Sequence, residues 1–352
     1  MQTDDLIIEK KNGVGHIILN RPKALNAITL GMVRGMHSCL KEWATDQSVN
    51  VIVVSGAGEK AFCAGGDIRT LYESIVAGGK DHITFFQEEF ALNEYIYTYP
   101  KPYIAMLDGY VMGGGMGISQ GASYRIATER TKLSMPETAI GYFPDVGGSY
   151  FLSRCPESIG IYLGLTGKSI QAQDAVYSNL ADWVMDSGQQ SQFITALENL
   201  NSQALLPDQI NTILTNLGAS NQAVDASFLT IGKQINQCFS LDTVTEIENA
   251  LKSLERQTHS EWANEALKKM STNSPLAMAA TLRMIQAGKT LNLSQCFAME
   301  LTLAEHWMQI GDFVEGIRAL IIDKDNSPKW RYEKSDLSSK QLNTLLPELY
   351  PH

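Results

Sequence analysis

Basic charge is what this chain most plainly lacks. Its 352 residues carry 28 Lys+Arg against 38 Asp+Glu, a formal net charge of −10, so there is no cationic footprint to displace counterions from a nucleic acid. Long apolar runs are missing too. Nothing approaches the ~18 uninterrupted apolar residues of a membrane span, and Met1-Gln-Thr-Asp-Asp-Leu-Ile-Ile-Glu-Lys10 places acid where a secretory signal needs a basic flank before an apolar stretch. A cytoplasmic protein with no membrane partner is expected. Cysteine is sparse: Cys39, Cys63, Cys155, Cys238 and Cys296 are scattered, with no C-x-x-C and no Cys/His spacing for zinc, so reduced thiols and no metal site are expected. Cys63 lies in a Gly-rich turn with no His nearby to activate it, which favours a small buried residue over a nucleophile.

Nucleotide fingerprints are absent as well. Gly113-Gly-Gly-Met-Gly-Ile118 lacks the G-x-G-x-x-G spacing, and Gly167-Lys-Ser169 has Tyr162 where a P-loop needs its first glycine. What remains is 44% hydrophobic, 19% charged, and rich in glycine with 28 residues, the profile of a compact α/β body with many tight turns.

The first half alternates strand and helix. Residues 6–20 read as two strands around Asn12-Gly13, a strong hairpin signal. Val33, Met36, Leu40 and Trp43 fall at i, i+3, i+7 and i+10, one stripe of a helix, and Val51-Ile-Val-Val54 is a short apolar run suited to a strand covered on both faces. A second unit opens at Pro102-Tyr-Ile-Ala-Met-Leu107 and turns through Asp108-Gly109 into a glycine cluster. Strands at 124–128 and 132–135 follow. From about residue 153 strand signals thin and polar helix formers dominate, which predicts an α/β core over 1–200 and a helical region over 201–352.

Two glycine turns, Phe62-Cys-Ala-Gly-Gly-Asp67 and Met112-Gly-Gly-Gly-Met-Gly117, can each present backbone N–H groups. Two such donors aimed at one point suit a carbonyl that gains negative charge, although either turn alone can simply close a βα connection. Glu137 and Asp145 each follow a proline and are separated by an apolar stretch. Either can be a helix-capping acid; in apolar surroundings either becomes harder to ionise and useful near neutrality. Glu89 borders the Ile83, Phe86, Phe90 and Tyr97 stripe while Glu88 faces away, and pattern alone favours a solvated flank for it.

Together, Asn20-Arg-Pro-Lys-Ala-Leu-Asn-Ala27, Ala61-Phe-Cys-Ala-Gly-Gly-Asp-Ile68, Gly109-Tyr-Val-Met-Gly-Gly-Gly-Met-Gly117 and Met135-Pro-Glu137 resemble, in order and spacing, the enoyl-CoA hydratase/isomerase (crotonase) superfamily. Within it, Phe85-Phe-Gln-Glu-Glu89, Phe143-Pro-Asp-Val-Gly-Gly148 and the stretches 311–319 and 323–330 resemble the branch that hydrolyses 3-hydroxyisobutyryl-CoA in valine breakdown. The resemblance spans about residues 5 to 332. It implies a crotonase-like spiral of repeated ββα units, with the helical C-terminal region covering an acyl pocket. Ala64 and Gly114 would supply the oxyanion N–H donors, and Glu137 the principal catalytic carboxylate, attacking directly or through water. Asp145 and Glu89 would contact the acyl group or its 3-hydroxyl, and Asp145 is also placed to protonate the departing thiolate. Lys23, Ala24, Leu25, Ala64, Gly65, Gly66, Asp67 and Ile68 would meet coenzyme A. Coenzyme A enters only as part of the substrate, its thiol leaves readily, and no other cofactor is required. A homo-oligomer, trimeric as in many crotonase relatives, is expected.

One departure from the hydratases matters. Their pattern puts a catalytic Glu three residues after the oxyanion glycine and another at the Pro-Glu position; here these places hold Gly117 and Glu137. Where they usually have Gly after the later proline, this chain has Asp145. The acid pair has moved, so hydrolysis is expected ahead of double-bond hydration or isomerisation. A non-catalytic acyl-CoA-binding scaffold whose acids are only caps is the remaining alternative.

Overall fold

In a computed structural model of the chain, residues 4–200 and 207–349 are described. Among them, nine strands form two sheets. Strands β1 (Leu6–Lys11) and β2 (Val14–Leu19) pair antiparallel around Asn12 and Gly13, whose φ values of 49° and 85° are those of a tight hairpin turn. Helix α1 (Leu30–Thr45) then crosses to β3 (Val51–Gly56), which runs parallel to β2, as a parallel joint demands. Its stripe of Val33, Met36, Leu40 and Trp43 is buried, and Thr29 caps it by accepting the Met32 N–H at 3.2 Å.

Three strand pairs now repeat. β3 with β4 (Ala61–Cys63), β5 (Tyr103–Leu107) with β6 (Tyr110–Met112), and β7 (Tyr124–Ala127) with β8 (Lys132–Ser134) each give one strand to either sheet. The larger sheet has the order β1-β2-β3-β5-β7-β9, where β9 is Trp183–Val184, and the smaller has β4-β6-β8. After β4 come helices α2 (Ile68–Val76) and α3 (Asp81–Tyr97), and after β6 helix α4 (Gly114–Gln120). This is the expected ββα spiral. Gly109 sits in the β5–β6 turn at φ 76°, and a Cβ there would collide with the Lys60 carbonyl, so the turn admits nothing larger.

The chain divides into two compact units, 1–67 with 88–133 and 170–227, and 68–87 with 134–169 and 228–352. Residues 201–206, where the helical region expected over 201–352 begins, lie outside the described residues. Phe193, Leu197, Ile210 and Leu214, on helices 190–198 and 207–216, pack with Val14, Val53, Met106 and Tyr124 of the larger sheet, so these helices belong to the sheet's core. The second unit is helical. The wholly buried Ile159–Thr166 helix places Tyr162 among the rings of Phe228, Phe239 and Trp262, and capping boxes at Thr243/Glu246 and Asn292/Gln295 start two of its helices. No helix of the described residues is long and apolar enough to cross a membrane.

One side chain ties the 20–27 segment to β4. Asn26, buried at φ 56°, donates to the Ala57 and Ala61 carbonyls at 3.0 and 2.7 Å and accepts the Arg21 N–H at 2.9 Å. Asn26→Ala removes one buried and two part-buried hydrogen bonds and is expected to cost ~3 kcal/mol. Chemical denaturation measures it, and a loss below ~1 kcal/mol would show the clamp to be dispensable.

Candidate active site

The first unit assembles the glycine turns. Ile28 donates to the Gly65 carbonyl and Asp67 donates back to Ile28, both at 2.8 Å, a parallel bridge that straddles Gly66. In such a bridge the central residue turns its own N–H the other way. That way lies Gly114: the Gly66 nitrogen is 3.3 Å from the place a Gly114 Cβ would occupy. Gly113, at φ 47°, turns the chain into α4, so the Gly114 N–H belongs to the first turn, where helical partners are lacking. Glycine at 114 is also a matter of space, because Glu89 Oε1 would stand 2.5 Å from an added Cβ.

This geometry corrects one expectation. Ala64 does not offer its N–H outward, because that group donates to the Leu25 carbonyl at 3.0 Å. The outward donor of the turn is Gly66, two residues on. The same bond brings Leu25 against the turn, and with it Lys23 and Ala24, which form a 3-10 turn after Arg21. Arg21 in turn pairs with Asp67 at 2.9 Å and donates to the Ala27 carbonyl at 2.7 Å. Lys23–Leu25 and Ala64–Asp67 therefore form one surface, while Ile68 opens α2.

Glu89 corrects the pattern reading as well. Glu88 does face outward, paired with Arg34 through two bonds of 2.7 Å, but Glu89 is only 2% exposed and lies against Gly114. The helix buries a broader face than its stripe suggested, with Phe85, Leu92, Asn93 and Ile96 also inside. Cys63 is the buried small residue expected. Its burial pushes the thiol up to about 12, too high for a thiolate nucleophile.

The second unit holds the other two acids. Glu137 begins a 3-10 turn, 137–140, that has no side-chain cap, and helix α5 (Gly148–Leu152) is preceded by Gly147 rather than Asp145 at its N-cap. Glu137 is 7% exposed, and its Oε2 has no hydrogen-bond partner among the described residues. Burial pushes its carboxyl up to about 8.

The turn carrying Glu137 is pinned by bonds that leave this carboxyl alone. Ser274 N–H donates to the Thr138 carbonyl and Asn273 Nδ2 to the Thr138 hydroxyl, each at 3.0 Å, and Trp307 Nε1 donates to the Gly141 carbonyl at 2.9 Å. Tyr142 and Phe143 stack at 4.3 Å, with Phe86, Phe313 and Trp307 around them.

Asp145 is buried in the next turn, where its carbonyl accepts the Gly148 N–H at 2.7 Å. Glu300, on the Leu293–Ile310 helix, reaches this segment, with Oε2 accepting the Gly147 N–H at 2.7 Å and Oε1 the Ser149 N–H at 2.8 Å. Sequence reading missed Glu300. A signal existed: it interrupts the buried stripe of Phe297, Ala304 and Trp307 at helical spacing.

A family model described as enoyl-CoA hydratase/isomerase matches residues 14–346. The mitochondrial 3-hydroxyisobutyryl-CoA hydrolase of Homo sapiens is 40% identical over 344 residues, covering 97% of this chain and 88% of that protein; the Rattus norvegicus enzyme of the same name is 39% identical, covering 99% and 90%. Among solved structures, an enoyl-CoA hydratase from Rhodobacter sphaeroides superposes with a TM-score of 0.87 at 35% identity, covering 98% of each chain. A carnitinyl-CoA dehydratase from Mycobacterium thermoresistibile gives 0.88 at 34%, covering 98% and 96%.

The raised Glu137 carboxyl has a consequence for stability. Its folded value near 8 exceeds the ordinary 4.5, so the folded state binds more protons between these limits. Its contribution is most favourable below about pH 4.5 and is lost as pH rises through about 8. Glu137→Gln, compared with the parent in thermal unfolding, is expected to match it near pH 4.5 and to be more stable by on the order of 3–5 kcal/mol at pH 9. A pH-independent difference would contradict the desolvated carboxyl.

Proposed function

The chain belongs to the enoyl-CoA hydratase/isomerase family, and from that premise we propose that it hydrolyses a short 3-hydroxyacyl-CoA thioester, foremost 3-hydroxyisobutyryl-CoA, to the 3-hydroxy acid and coenzyme A. The observation that carries this reading is the buried Glu137 carboxyl with an unpartnered oxygen, in a chain that has Gly117 where a hydratase needs its second acid. Near-full-length similarity to proteins named as hydrolases of this thioester supports the substrate.

The chemistry follows from charge. Attack at a thioester carbon moves a negative charge onto the carbonyl oxygen, and the N–H groups of Gly66 and Gly114 receive it. Losing one donor of this kind costs ~3 kcal/mol of transition-state stabilisation. Glu137, when ionised, either adds to the carbon to form a mixed anhydride that water then opens, or takes a proton from the attacking water. Both routes break the carbon–sulfur bond and end in acid and free thiol. Asp145 contacts the 3-hydroxyl or returns a proton to the thiolate, and Glu89, lying against Gly114, contacts the acyl group. The surface of Lys23–Leu25 with Ala64–Asp67 meets the coenzyme A portion. The product acid places the reaction in valine breakdown.

Hydration of a double bond is the second reading, favoured by the superpositions on a hydratase and a dehydratase. It needs two acids to deliver water and proton, and Gly117 has no side chain to act as one.

Thiol release from 3-hydroxyisobutyryl-CoA tests the proposal. Turnover is expected, with Glu137→Gln lowering it ~100-fold or more. Because the reactive form is the carboxylate, kcat/KM is expected to rise with pH to about 8 and then level. Crotonyl-CoA should keep its enone absorbance. No thiol release from any short 3-hydroxyacyl-CoA would remove the assignment.

A further inference from the structure

The turn that presents Asp145 is bent in a way its residues would not choose alone. Val146 has φ 53° and Gly147 follows at 88°. The left-handed region suits glycine, but a buried β-branched valine there is strained and persists only where its surroundings hold it.

The restraint comes from far along the chain. Glu300, fully buried, gathers the Gly147 N–H at 2.7 Å, the Ser149 N–H at 2.8 Å and the Ser149 hydroxyl at 2.5 Å onto its two oxygens. One turn earlier on its helix, the Phe297 ring lies 3.1 Å from where a Gly147 Cβ would be, closing the other approach. Burying a carboxylate is a costly way to dock a helix, since an apolar side chain would do it with less desolvation. A carboxylate adds direction: its bonds fix the two residues that immediately follow the strained one.

We propose that Glu300 is a positioning residue for the reaction, holding the 145–149 turn against the strain at Val146 and so setting where the Asp145 carboxylate stands. This rests on Asp145 acting on the substrate, as read above.

The test is steady-state thiol release from 3-hydroxyisobutyryl-CoA by Glu300→Gln, Ser149→Ala, Asp145→Asn and the Glu300→Gln/Val146→Gly pair, with circular dichroism and thermal unfolding of each. Gln keeps the shape of Glu300 but turns one acceptor into a donor facing a backbone N–H. The expected result for folded Glu300→Gln is a kcat about 10- to 100-fold lower with KM within about threefold. Adding Val146→Gly is expected to recover about threefold or more of that kcat, because a turn without strain needs less restraint. A folded Glu300→Gln with native kcat, or a loss that Val146→Gly does not relieve, overturns the inference. Should Glu300→Gln not fold, Ser149→Ala decides: it removes one donor and keeps both backbone bonds, so a kcat lowered about threefold supports the inference and a native kcat overturns it. Asp145→Asn separates the two claims. If it alone is fully active, the reading of Asp145 fails and the inference with it; if it is impaired while Glu300→Gln is native, only the inference fails.

Discussion

A carboxyl kept out of water with one oxygen unpaired is the constraint around which the second unit is organised. Left to itself such a group would draw in a cation or a water. The Glu137 backbone gives the carboxyl one hydrogen bond, which does not offset its burial, and the bonds that hold the 137–141 turn from outside go elsewhere: Asn273, Ser274 and Trp307 bond to Thr138 and Gly141, not to Glu137. Several bonds at the flanks thus keep a reactive group under-satisfied in the middle. The cost appears as a proton affinity raised to about 8, and a carboxyl in that state is matched to proton transfer or nucleophilic attack near neutrality.

In the first unit the segments around the 64–67 turn are tied together by direct polar bonds. Arg21, Asn26 and the Leu25 carbonyl bind Asp67, Ala61 and Ala64 in turn. Because Ala64 is engaged and the bridge to Ile28 orients its neighbours, Gly66 is left as the residue whose N–H points outward. Bonds to the residues on either side of a donor fix its direction. Glycine at 114 completes the arrangement for a steric reason, since the Glu89 carboxyl occupies the space of a side chain there.

How much of this could be read beforehand depends on the range of the interaction. The Asn12-Gly13 hairpin, the α1 stripe and the apolar strand at 51–54 were legible because they are local patterns, and the ββα spiral followed from motif order. The donor at 64 was misassigned because three consecutive amides in a glycine turn look alike in sequence, and only the Ala64–Leu25 and Asp67–Ile28 bonds tell which one is free to point outward. Glu89 is not legible from the apolar stripe because the helix buries a broader face than Ile83, Phe86, Phe90 and Tyr97 mark. Glu300 interrupts an apolar stripe, which marks it as buried, but its partners Gly147 and Ser149 lie about 150 residues away, and a single acid on a helix gives no hint of what it reaches. Helices 190–198 and 207–216 are polar enough to read as part of a helical region, yet their Phe193, Leu197, Ile210 and Leu214 complete the sheet's core.

The superpositions with a hydratase and a dehydratase, at TM-scores of 0.87 and 0.88, show why the fold alone does not choose the reaction. An acid three residues after Gly114 would sit on helix α4, whereas here that place is Gly117 and the later acid, Asp145, stands in a strained turn eight residues beyond Glu137. Hydration must deliver a proton and a hydroxyl to two adjacent carbons; hydrolysis needs attack at one carbon and departure of one thiolate. On the reading proposed above, the two reactions on this fold differ in where one acid stands, on a helix or in a turn.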